Sequence, residues 1–156
     1  MYHMVSPWLE KGKFNKLRVK PDEFEKQVRF LAKNGWHFAT MSELTSQNEL
    51  PYKSVCITFD DGFKDNYTNA HPILEAYDAK ATLFLVCDRH DRDWSTSKKA
   101  HHNSGELLRE SKLTNNEVNS MLSSGVWELG AHTITHANLP KNSDEMALIE
   151  ISKSKL

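Results

Sequence analysis

The run Ala81-Thr82-Leu83-Phe84-Leu85-Val86-Cys87 restricts the fold more than any other stretch of the chain. A strand with one wet face alternates polar and apolar residues, and this one does not. It therefore predicts a strand covered on both faces, as in a parallel sheet packed under helices. Helix-like and strand-like segments alternate around it. Pro21 opens a helix in which Phe24, Val28 and Leu31 make one apolar stripe, and Asn34-Gly35 ends it. Residues 36–40 read as a short strand and 41–45 as a short helix. Residues 66–77 read as a helix that Pro72 breaks or kinks. Thr114-Asn115-Asn116-Glu117 matches a capping box that opens a helix to Ser124, closed by Gly125. Residues 126–129 form the next strand, and Asn142 or Ser143 caps a last helix. Residues 2–5 read as the tail of a first strand. Residues 6–20, polar and carrying Pro7 and Gly12, read as a loop, as do residues 88–104. Hairpin signals are scarce.

The pattern predicts an α/β fold of about five mostly parallel strands with flanking helices and right-handed crossovers. A closed barrel of βαβ units needs at least ~200 residues. The chain has 156, so an open sheet or an incomplete barrel is expected.

Composition narrows the function classes. With 38% hydrophobic and 26% charged residues the chain can build a core. Its net charge of −1 excludes recruitment of nucleic acid or an acidic membrane by bulk charge. No apolar run approaches the ~20 residues of a membrane-spanning helix. Two cysteines, Cys56 and Cys87, are too few for a disulfide scaffold and read as packed thiols. The start, Met1-Tyr2-His3-Met4-Val5, lacks the basic and long apolar segments of a signal peptide. A cytoplasmic protein or a start further upstream would both fit.

Two motifs carry chemistry. A β-rich run, residues 54–59, ends in Asp60-Asp61-Gly62, and the strand at 126–129 delivers His132-Thr133-Ile134-Thr135-His136. In a parallel sheet both would leave the same rim, where ligands of α/β folds collect. Two imidazoles and one carboxylate are a common open ligand set for catalytic zinc. One aspartate can then ligate while its neighbour accepts a proton, since adjacent strand residues point in different directions. Taken singly, Asp-Asp-Gly also reads as a turn and His-x-x-x-His as a chance spacing. Their joint placement at strand ends favours a metal site.

Thr58-Phe59-Asp60-Asp61-Gly62 and His132-Thr133-x-x-His136 resemble the first two motifs of the polysaccharide deacetylases, the NodB-homology domain of carbohydrate esterase family 4. Tyr2-His3-Met4-Val5-Ser6 is similar to the strand-end Tyr-His of the poly-N-acetylglucosamine deacetylase branch. Residues 24–35 and 124–139 follow the same pattern. The resemblance implies a distorted (β/α)7 barrel and hydrolysis of N-acetyl groups on an N-acetylglucosamine polysaccharide. Asp60 would be the catalytic base. Asp61, His132 and His136 would bind a divalent metal, usually Zn2+ and sometimes Co2+. Thr133 and Thr135 would orient their loop. His3 would lie on the substrate side, or be an ordinary histidine at a chain start. His90, Trp94, His101 and His102 could touch sugar faces, but they read better as part of a solvated loop.

The family's later motifs, an Arg-x-x-Pro-Tyr segment, an Asp/Trp segment and a Leu-x-His general acid, are not found before Leu156. Residues 1–156 are therefore expected to form a partial NodB-homology domain, with metal binding ahead of turnover. An inactive metal- or glycan-binding remnant, and an amidohydrolase of small non-sugar amides, are the alternatives. A second copy could cover the open edge. The resemblance leaves the compartment open, related enzymes often being extracytoplasmic.

Overall fold

The computed structural model describes residues 1–46, 49–92 and 105–155. Strand β1 (Met4–Val5) pairs in parallel with β2 (Arg18–Val19), and helix α1 (Pro21–Lys33) follows. Then come β3 (His37–Phe38), α2 (Met41–Ser46) and β4 (Ser54–Val55), with β3 and β4 again parallel. β5 (Ile57–Asp61) runs into a π-helical turn (Asn66–Ala70) and α3 (His71–Ala76). β6 (Ala81–Leu85), α4 (Glu106–Arg109), α5 (Asn115–Ser123), β7 (Trp127–Ala131) and α6 (Asp144–Ser152) complete the order. β5, β6 and β7 form one parallel sheet in that order. A parallel bridge between Tyr2 and Phe59 lays the start of the chain beside β5. The expected α/β architecture of parallel strands and flanking helices is present, and among the described residues the strands do not close into a barrel.

The unbroken apolar run becomes β6, the central strand, with Ala81, Leu83 and Leu85 buried. The apolar stripe of α1 is packed as its spacing predicts, with Phe24 and Val28 fully buried. The rings of Tyr2, Phe24, Phe59 and Trp127 pack against one another, edge to face in Tyr2–Phe24 and tilted in Phe59–Trp127, with centroids 5.0 Å apart in both pairs. Each buried ring there contributes about 2–3 kcal/mol from area alone. The capping box of α5 forms in full, Thr114 and Glu117 exchanging bonds with each other's backbone N–H.

Pro72 neither breaks nor ends its helix. The His71 N–H reaches back five residues to the Asn66 carbonyl, so the chain winds as a π-turn before the proline. Pro72 then sits in the first turn of α3, where it lacks no needed donor.

Two expectations are corrected. Residues 6–20 are not wholly loop: they hold a short 3-10 turn (Asn15–Leu17) and β2. A two-residue strand carries no periodicity, so only its pairing with β1 reveals it. Cys56 and Cys87 are free thiols that are half-buried rather than sealed in the core. Burial still pushes both thiols up and keeps them neutral. Among the described residues no helix is long and apolar enough to cross a membrane.

Candidate metal centre

The parallel register sets Asp61, Leu85 and Ala131 level with one another across the three strands. Asp61 is the last residue of β5, and His132 is the first beyond β7. The two strands lie one strand apart, about 10 Å between backbones, so their side chains must reach over the end of β6 to meet. They do so. Asp61 Oδ1 lies 3.3 Å from Nε2 of His132 and 3.3 Å from Nε2 of His136. One ligand atom from each residue falls within 4.8 Å of the other two.

Alternation along β5 assigns the two acids to different surroundings. Ile57, Phe59 and Asp61 face inward, while Thr58 and Asp60 are half-buried. Asp61 is 4% exposed and forms the floor of the cluster. The His132 and His136 side chains are 32% and 34% exposed and form its mouth.

Among the described residues, three of the seven non-glycine residues with positive φ lie at this rim; Lys11, Lys53, Asp78 and Asp91 lie elsewhere. The Gly62 N–H donates to the Asp60 carbonyl at 3.0 Å, closing a turn over Asp61 at φ 77°. That is the rare positive-φ form of the γ-turn. Thr133 and His136 also have positive φ, 64° and 59°. Non-glycine residues hold such angles at a cost of about 1–3 kcal/mol each. Gly62 is required on two counts: its φ is +86°, and a Cβ there would come within 2.3 Å of Leu85 Cδ1.

Asp61 Oδ1 is buried and accepts no hydrogen bond. A buried carboxylate oxygen without a donor is costly unless a cation faces it. Two imidazole nitrogens and a carboxylate oxygen are donors suited to zinc and similar divalent ions. The residues present therefore fit a divalent metal, and among the described residues this is the one such cluster.

Contact with the Asp61 carboxylate pushes His132 up, while burial pushes His136 down. Burial pushes Asp60 up, partly offset by the nearby His132 and His3. Asp60 is fixed through its backbone, its N–H donating to the Tyr2 carbonyl at 3.0 Å. His3 stands near the cluster, close enough for its charge to act on Asp60 and His136. Thr133 Oγ1 accepts the Ala137 N–H at 3.1 Å, which folds the histidine loop back on itself. His90 is exposed. Trp94, His101 and His102 lie outside the described residues.

Sequence reasoning missed two supports. Asn66, fully buried on the π-turn, donates to the His3 carbonyl at 2.9 Å. Glu150 of α6 accepts from the N–H groups of Ile134 and Thr135 at 2.9 and 3.0 Å and from the Thr135 hydroxyl at 2.8 Å. The one sequence signal for Glu150 is an acid in the last turn of a helix that has no basic residue there, the wrong end for its charge.

Residues 47–156 match the polysaccharide deacetylase family. YxkH of Bacillus subtilis (strain 168), named as a polysaccharide deacetylase, is 32% identical over 99% of this chain and 48% of its own length. A poly-beta-1,6-N-acetyl-D-glucosamine N-deacetylase of Staphylococcus aureus (strain MRSA252) is 30% identical over 80% of this chain and 40% of its own length. Among solved structures, the Streptococcus pyogenes deacetylase PplD in complex with acetate superposes with a TM-score of 0.78. It has 30% identity over 99% of this chain and 63% of that one. The chain thus spans about half the length of the curated relatives it matches.

Proposed function

The chain belongs to the polysaccharide deacetylase family, and from that premise we propose that it hydrolyses N-acetyl groups on an N-acetylglucosamine-containing polysaccharide with a bound divalent metal. The observation that carries this reading is the convergence of Asp61, His132 and His136 around one buried, hydrogen-bond-free carboxylate oxygen. We take residues 1–156 as part of one NodB-homology domain and zinc as the metal. The half-exposed imidazoles leave one side of the cluster open for substrate, as an open coordination position requires.

Asp61, His132 and His136 would hold the ion. When bound, it would lower the pKa of a water beside it and polarise an acetamide carbonyl. Asp60 stands next to Asp61 on the half-exposed side of β5 and is the proton acceptor in this reading. Its raised pKa suits that task, because a base works best when its pKa approaches the working pH. His3 would border the bound sugar, supported by its nearness to Asp60 and His136. The aromatic stack under Phe59 keeps β5, and with it Asp60, from shifting.

The test is acetate release from β-1,6-linked and β-1,4-linked N-acetylglucosamine oligomers with added Zn2+ or Co2+. Asp60→Asn is expected to lower the rate by ~10²–10⁴-fold while zinc affinity stays within a few-fold. Zinc binding without acetate release from either substrate would leave a binding role in place of hydrolysis.

A further inference from the structure

We propose that Glu150 is the positioning residue of the metal centre, holding the His132–His136 loop in its ligating shape from the opposite side of the loop. The inference deepens the metal reading above and rests on it. Glu150 lies outside the cluster of ligand atoms. It meets the middle of the loop, where it takes all three polar hydrogens that Ile134 and Thr135 present. The loop is otherwise tied mainly at its start, by His132 N–H to Leu85 O at 3.1 Å, and to the end of β6, by the N–H groups of Cys87 and Asp88 to the carbonyls of Thr133 and Ile134.

Two features argue that this contact is more than a helix packing on a loop. First, Glu150 is a buried carboxylate, 6% exposed, in the last turn of α6, where the helix dipole opposes a negative charge. A local rule broken in this way marks a functional site. Second, the loop needs an external hold. Thr133 and His136 both have positive φ, and such residues persist only where their surroundings over-determine them. Glu150 grips the two residues between them.

Outer contacts of this kind commonly set metal affinity by ~10–100-fold, because they fix the ligands before the ion arrives. Zinc affinity, read by competition with a chromophoric chelator, is expected to fall by ~10–100-fold in Glu150→Ala. Glu150→Gln should stay within about threefold of wild type. The amide oxygen can accept both backbone N–H groups, and its NH2 can donate to the Thr135 hydroxyl, which serves as donor or acceptor. In the metal-free protein, hydrogen exchange should find the Ile134 and Thr135 amides protected in wild type and in the Gln variant, and unprotected in the Ala variant. Val28→Ala, in the core beneath α1, serves as the control for general loss of stability.

A Val28→Ala protein that loses as much zinc affinity as Glu150→Ala would reduce Glu150 to a structural role and overturn the inference. So would a Gln variant as weak as the Ala variant, or unchanged affinity in Glu150→Ala. If the Ala variant does not fold, Glu150→Asp replaces it. One methylene shorter, it cannot reach all three donors, and an affinity loss under about threefold overturns the inference equally. A wild-type chain that ignores zinc would sink the metal reading and this inference together; the other outcomes bear on Glu150 alone.

Discussion

The two arms of the proposed metal centre are built by different means. The Asp60–Asp61 arm leaves β5, which has β6 on one side and the bridge at Tyr2 on the other. Its shape is fixed by neighbouring backbone: the strand register, the Asp60 N–H on Tyr2 O, and the tight turn that Gly62 permits. The His132–His136 arm leaves β7, whose strand partner among the described residues is β6 alone. It is a loop, and a side chain 14 residues beyond His136 holds its middle. One arm is held by local covalent geometry and the sheet; the other, beyond its backbone bonds to Leu85, Cys87 and Asp88, is held by a long-range polar anchor. A metal site needs both, since ligands must be placed to within a fraction of an ångström before binding.

Removing Asp61, the proposed shared ligand, breaks the comparison most severely. Asp61→Asn keeps a residue that tolerates positive φ but replaces the anionic ligand. Zinc affinity is expected to drop by more than about 100-fold. With His132 uncharged, the metal-free protein should be no less stable, and up to ~1 kcal/mol more stable, because a buried charge without a donor is gone. Chelator competition and thermal unfolding of the metal-free protein check the two halves separately. A large loss of metal-free stability would mean that Asp61 serves the fold instead of a cation.

The stiffness of the Asp arm is measured next. Gly62→Ala forces a Cβ onto Leu85 and strains a φ of +86°, which should cost about 2–3 kcal/mol in denaturant unfolding. Gly35→Ala, with φ +70° but nothing within 4 Å of a Cβ, should cost only about 1 kcal/mol. Equal losses would show that the turn at Asp61 has slack.

Acid gives the finest separation. Glu150 would be pushed up by burial, but the bonds from Thr135 and Ile134 outweigh that and hold it below its usual range. Its contribution to stability is therefore complete above the ordinary glutamate value of about 4.3 and is lost as pH falls through its lowered value. Asp60 runs the other way. Its raised carboxyl destabilises the fold when ionised, so acid relieves it. In the metal-free protein the histidines oppose each other, His132 raised and His136 lowered. Protonating the first favours the fold, and protonating the second disfavours it. As pH falls below about 4.3, amide protection at Ile134 and Thr135 should fall, while that at Gly62 should hold. Parallel loss at both places would erase the distinction between the arms.

Much of the site was legible in the sequence because its parts are local. A strand that runs into Asp60-Asp61-Gly62 has no choice about placing those acids at a strand end, and Trp127–Ala131 delivers His132 in the same way. The unbroken apolar run of β6 marked a parallel strand covered on both faces, and in a parallel sheet both motifs fall on one rim. β2 escaped because two residues have no period. Pro72 was legible as a disturbance but not as the π-turn that accommodates it. Asn66 and Glu150 escaped for a different reason: each acts on a segment far away in the chain, and a lone Asn or Glu on a helix has a solvated surface as its ordinary place.

The amino-acid sequence by itself determined the residue types of the centre, their position at strand ends and the parallel order that brings those ends together, because each follows from neighbours within a few residues. Tertiary structure alone decided that Asp61 lies on the floor with an unpartnered oxygen, that two imidazoles reach it at equal distance, and that Glu150 turns inward to hold their loop. Those outcomes depend on which surfaces exclude water and which distant groups meet, and no spacing along the chain encodes that.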